Sequence, residues 1–199
     1  MHSRKKNRFY KKLMSEGLSK DLCPLKIGEV EVNTPNDTFN AFYVFYHLWR
    51  HFSTSGVGLR QFCDWACFLH THVDKLDFPR LKKMLDDFGF MKPWQVFGCF
   101  LVTDLGLPEN EFPFYNKRYV CMVKKVREYV MADGNFGVNI AAGREKSKGY
   151  LHGKWVSFKY HMLRFFRMFR LFPKHTMLRL YYMLRDGIEQ VVKDMRKKK

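Results

Sequence analysis

Apolar runs are short throughout this sequence, and none approaches the ~20 residues needed to cross a bilayer. The charged start, Met1-His2-Ser3-Arg4-Lys5-Lys6-Asn7-Arg8, is followed by no apolar segment of the kind that marks a secretory leader. The chain is therefore expected to be neither membrane-spanning nor secreted. Cysteine is sparse as well. The five cysteines are odd in number and contain no Cys-x-x-Cys pair, which argues against a disulfide framework and for reduced thiols in a cytoplasmic protein. Cys63 and Cys67, one helical turn apart, are expected to pack as small apolar groups. Negative charge is also short: 19 Asp and Glu stand against 36 Lys and Arg, for a formal net charge of +17. Such a balance suits a polyanionic partner, whether nucleotide phosphates, nucleic acid, an acidic lipid surface or an acidic neighbouring domain. What the chain has in quantity is apolar mass. Over 199 residues, 46% are hydrophobic and 17% aromatic, enough to bury one or two cores and too much for a disordered chain.

β signals are almost as scarce. The one convincing case is Leu25-Lys26-Ile27-Gly28-Glu29-Val30-Glu31-Val32, where apolar and charged residues alternate around a glycine, the pattern of a small hairpin exposed on one side. A short basic helix is expected before it, from Arg4 to Glu16. After it, Pro35-Asn36-Asp37 supplies a turn and an N-cap for a helix from about Thr38 to Phe52. Further helices are predicted over Leu59 to His72, Phe78 to Phe88, Pro93 to Leu105 and Asn116 to Met131, punctuated by Asp77, Gly89 and Gly106-Leu107-Pro108. The glycine-rich basic stretch from Asp133 to Gly153 reads as a loop. Lys154 to Phe172 and Lys174 to Lys199 read as two helices broken at Pro173. The fold class is thus mainly α, a multi-helix bundle with one small β-hairpin near the N-terminus. Its expected parts are a linker helix and hairpin over 1–36, a helical bundle over 37–132, a loop over 133–153 and basic amphipathic helices over 154–199.

The densest collection of ionisable groups lies in His47-Leu48-Trp49-Arg50-His51 and the following Gly56-Val57-Gly58-Leu59-Arg60-Gln61-Phe62-Cys63-Asp64-Trp65. His47 and His51 are i,i+4 neighbours on one helix face, a spacing that binds a metal when a third ligand such as Asp64 arrives. The zinc-protease pattern needs a glutamate where Leu48 stands, so no metal is expected here. Arg60 and Asp64 are again i,i+4, after glycines that let the chain reverse tightly. Two readings stay open: an internal polar network locking two helices together, or a phosphate site in which Arg60 faces the anion from the first turn of its helix. Gly134-Asn135-Phe136-Gly137 is a further candidate, either a turn presenting amides and Asn135 to an anion or a loop plugging Phe136 into the bundle.

The His47 to His51 run and the Gly56 to Trp65 run together resemble the C-terminal half of the bacterial family of uncharacterised nucleotidyltransferases, of the polymerase-β-like type. Asn7-Arg8-Phe9 and Val32-Asn33-Thr34-Pro35 resemble that family's linker helix and strand. Trp94, Gly98, Leu105-Gly106-Leu107-Pro108 and Gly134-Asn135-Phe136-Gly137 resemble its later landmarks, so the likeness runs from about His2 to Gly137. The resemblance implies an upstream α/β core in which a Gly-Ser turn and paired aspartates hold magnesium for nucleotidyl transfer. No Gly-Ser followed by Asp-x-Asp occurs in this chain, and Asp86-Asp87 lies inside a charged helix. The expectation is an accessory, substrate-binding helical domain of a nucleotidyltransferase, truncated and not catalytic alone. It would hold no cofactor itself and would partner a missing or separate catalytic domain, with His47, His51, Arg60, Asp64 and Asn135 toward nucleotide.

The competing expectation is a stand-alone basic module for nucleic acid or an anionic membrane surface, carried by the last two helices. In the first of them, Trp155, Phe158, Met162, Phe165, Phe166, Phe169 and Phe172 fall on one arc, with Arg164, Arg167 and Arg170 on much of the other. The simpler reading docks that aromatic arc onto the bundle or onto the missing domain and leaves the arginines in water. Tyr181, Tyr182, Leu184, Ile188 and Val191 would extend the same interface.

Overall fold

The computed structural model describes residues 22–133 and 150–197, together with Lys11, Met14, Ser15 and Gly17. Most of the expected helix over Arg4 to Glu16, and the Gly134 to Gly137 motif with Asn135, lie outside the described residues. Strands β1 (Leu22–Ile27) and β2 (Val30–Pro35) form an antiparallel hairpin closed by Gly28, whose φ of 62° is cheap only for glycine. It is longer at both ends than the alternation suggests. The Leu25↔Val32 and Ile27↔Val30 pairs place four apolar side chains on one face, and all four are exposed.

Helix α1 (Asp37–Thr54) starts where Asn36 accepts a hydrogen bond from the Phe39 amide at 2.9 Å. Phe42, Phe45, Trp49 and Phe52 recur at helical spacing and are all buried. Gly56, with φ 100°, reverses the chain into α2 (Leu59–His72), whose Gln61 side chain accepts from the Gly58 amide at 3.1 Å. Helix α3 (Phe78–Phe88) is capped by the Asp77 carboxylate at its start and by left-handed Gly89 at its end. Helix α4 (Met91–Leu105) begins two residues before Pro93 and is buried nearly all round its middle, from Pro93 to Leu101. It is the axis of the bundle. Trp94 packs edge-on to Phe45 and Trp65, with centroids at 5.1 and 5.0 Å, and its Nε1 donates to the Pro113 carbonyl at 2.8 Å. A Cβ on Gly98 would overlap the Phe112 ring, so glycine is what lets that ring cross the helix.

The next segment corrects the expected helix over Asn116 to Met131. Asn116 caps a 3-10 stretch, Lys117–Met122, and only then does α5 (Val123–Asp133) begin. Arg127 on α5 grips Asp104 on α4 with two hydrogen bonds, of 2.6 and 2.8 Å. Helix α6 (Tyr150–Leu171) takes in residues 150–153, which the sequence reading placed in the loop, and α7 (Pro173–Lys197) follows at once. Phe172 at their corner is buried against Trp49 at 4.9 Å and Phe97 at 6.0 Å, while His175 stacks on Phe90 at 5.7 Å.

Docking of that aromatic arc onto the bundle is met only at its end, where Phe172 is buried. Arg164, Met168 and Leu171 are the buried residues, whereas Trp155, Met162, Phe166 and Phe169 are exposed. Residues 164, 168 and 171 form a helical stripe of their own, and α6 is docked through it.

Candidate functional site

The C-terminal end of α1, the Ser55–Gly58 turn and the first turn of α2 gather most of the residues singled out above. The His47 and His51 rings stand 4.5 Å apart between centroids, at 63°. His47 is exposed and also lies 6.4 Å from the Tyr43 ring, while His51 is half-buried with Nδ1 3.0 Å from Ser55 Oγ. Burial, then the charges of His47 and Arg50, lowers the His51 pKa from its ordinary value. The shift favours the neutral imidazole, which can donate one hydrogen bond and accept another.

Arg60 Nε lies 4.0 Å from Asp64 Oδ2, and their side chains are 85% and 65% exposed. A contact so open to water is weak and leaves the guanidinium available to an anion. Among the described residues, no hydrogen bond or ion pair joins either histidine to Arg60 or Asp64. Each i,i+4 pair forms, and the two pairs flank the same turn. Cys63 and Cys67 are exposed rather than packed, because the buried face of α2 is Phe62, Trp65 and Leu69.

Sequence reasoning missed what α6 and α7 bring to this end of the molecule. Arg179 donates to the Ser53 carbonyl at the end of α1, where helix carbonyls leave partial negative charge. Loss of water around its guanidinium, and then the nearby charge of Arg164, pulls Arg179 below its usual range. Arg164 and Arg167 line a shallow crevice with Phe52, Tyr129 and Met168, and Arg167 stands 5.3 Å over the Tyr129 ring. One signal could have pointed to this concentration of arginine: the sequence has no Asp or Glu between Glu145 and Asp186.

The described carboxylates do not fit a magnesium pair. Asp86 is bonded to Lys82 at 2.7 Å, Asp104 to Arg127, Glu111 to His70 at 2.6 Å, and Glu109 to Lys117 at 3.1 Å. Among the described residues, no three His, Cys, Asp or Glu side chains come together as a metal-binding group. No helix there is long and apolar enough to cross a membrane.

A sequence model of the family described as uncharacterised nucleotidyltransferase covers residues 1–100, which takes in the hairpin, α1 to α3 and most of α4. It includes His47, His51, Arg60 and Asp64 and stops before Leu105. No curated protein and no solved structure matched.

Proposed function

As the chain belongs to the uncharacterised nucleotidyltransferase family, we propose that it forms the helical, substrate-facing part of such an enzyme and works with metal-holding carboxylates carried on a separate catalytic domain. The observation that carries this reading is the donor set. Side chains suited to phosphate flank the Ser55–Gly58 turn, while Asp86, Asp104, Glu109 and Glu111 are each engaged with a basic side chain. Two-metal nucleotidyl transfer needs acids that converge. The hairpin supports the same reading. A two-stranded hairpin with a bare apolar face is marginal by itself, and Leu25, Ile27, Val30 and Val32 offer the catalytic domain a surface to cover.

In this arrangement Arg60 meets a phosphate of the nucleotide, with its charge and its place in the first turn of α2 both favouring the anion. Asp64 stands beside Arg60 as a weak partner that the anion can replace, and His47 and His51 donate hydrogen bonds. Arg179 adds positive potential from the end of α1. Arg60→Ala is expected to weaken binding of a nucleoside triphosphate at least tenfold, about 1.5 kcal/mol for a hydrogen bond to a charged group. Arg170→Ala, on the exposed side of α6, is expected to change it little. Calorimetric titration of both variants beside the parent decides the matter. Equal losses would refer the effect to overall charge and overturn the role of Arg60.

A further inference from the structure

We propose that the outward face of the α6–α7 hairpin attaches to an anionic lipid surface, with both helices lying in the plane of the headgroups. The proposal uses residues outside the family match and is independent of the reading above.

The face is apolar on both helices. On α6, Met162, Leu163, Phe166 and Phe169 are exposed, Phe166 to 58%. On α7, Met177, Tyr181, Leu184 and Ile188 follow the spacing i, i+4, i+7, i+11 and are exposed, Ile188 to 65%. Their direction follows from Arg164, which is buried, and from Arg179, which is exposed but reaches across to α1. Arg164 is 7% exposed and sits two residues, just over half a helical turn, from Phe166. Arg179 is likewise two residues from Met177 and is tied to the Ser53 carbonyl of α1. Both stripes therefore look away from the bundle.

The charge around them selects the occupant. From Lys146 to Arg185 the sequence carries ten Lys and Arg and no Asp or Glu. Lys159 and Arg170 are exposed one turn from Leu163 and Phe166, and Lys174 is exposed one turn before Met177. Apolar side chains bordered by cations suit the boundary between acyl chains and phosphates: the rings and aliphatic groups enter, and the long basic side chains stay among the headgroups. A second copy would bring together two faces whose sequence carries no acid from Lys146 to Arg185, leaving most of their cations unpaired. Single-stranded nucleic acid stacks on aromatic rings in a basic groove, and gains nothing from Leu163, Leu184 or Ile188.

The test is co-sedimentation of the full chain with vesicles of phosphatidylcholine alone and of phosphatidylcholine with phosphatidylglycerol, at low and high salt. The expected result is pelleting with the anionic vesicles only, weakening as salt rises. Lys159→Gln and Arg170→Gln should each lower partition about fivefold. Phe166→Ser combined with Leu184→Ser should lower it at least about tenfold, since two apolar side chains no longer leave water. Both sets should melt like the parent, because the changed positions are exposed. No pelleting with anionic vesicles, or equal pelleting with neutral ones, overturns the proposal. So does displacement by an oligouridylate whose own binding is lost in the Phe166→Ser, Leu184→Ser variant, which would assign the face to nucleic acid. A dimer by light scattering that this variant dissociates, without vesicle binding, would assign it to a second copy.

Discussion

The α1–α4 bundle and the α6–α7 hairpin are both rich in aromatic residues, and they turn them in opposite directions. In α1 to α4 the aromatic stripes face inward and meet ring to ring around Trp94 and Phe97. Among the described residues of α6 and α7, the core is entered near the corner, through Met168, Leu171 and Phe172. Farther along α6, Arg164 is buried and Phe166 exposed. Charge divides along similar lines: residues 1–100 carry 15 Lys and Arg against 10 Asp and Glu, and residues 101–199 carry 21 against 9. An amphipathic pattern establishes that a helix has two faces. Which face meets protein depends on what lies opposite, and here a bundle already filled with rings accepts one narrow stripe of α6.

The largest expected effect tests whether the corner shares the bundle's core. Trp94→Ala and Phe172→Ala should each destabilise by about 3–5 kcal/mol in chemical denaturation, since both rings are fully packed. If Phe172→Ala leaves the main transition in place and removes only a minor one, the two regions unfold separately and the comparison sharpens. Next comes the acid limb. The Arg127 hydrogen bonds, against partial burial, hold the Asp104 carboxyl below its ordinary value. Its contribution is therefore complete above the usual ~3.9 of an unfolded Asp and is lost as pH falls through the lowered folded value. Asp104→Asn should lower the melting temperature at neutral pH and flatten its fall in acid.

A smaller effect is expected from His51. Because its folded pKa is lowered, the unfolded chain takes up the proton more readily, so stability is greater above ~6.5 and declines as pH falls from there toward the folded value. Melting curves of His51→Gln should lack that step. Smallest of all is Phe166→Ala, expected to stay within about 0.5 kcal/mol of the parent. A cost near that of Phe172→Ala would mean that Phe166 packs against protein and would break the contrast between the regions.

Much of the fold was legible because its signals are local. Asn36, Asp77, Gly89 and Gly106 mark helix ends by the hydrogen bonds and φ values they adopt, and α2 and α3 begin and end where the punctuation places them. The i,i+4 pairs of the candidate site were legible for the same reason. What was hidden joins residues far apart in sequence: Trp94 to Pro113, His70 to Glu111, Asp104 to Arg127, Ser53 to Arg179. The exposure of Cys63 and Cys67 was hidden too. A small apolar side chain beside Phe62 and Trp65 reads as core until the rotation of α2 turns it to solvent.

The central claim is that the acids for two-metal nucleotidyl transfer come from outside this chain. Release of pyrophosphate from nucleoside triphosphates, followed with the purified chain, magnesium and a mixture of hydroxyl-bearing acceptors, tests it most directly. The expected result is release no faster than in buffer; sustained catalytic release that scales with the amount of this chain would contradict it.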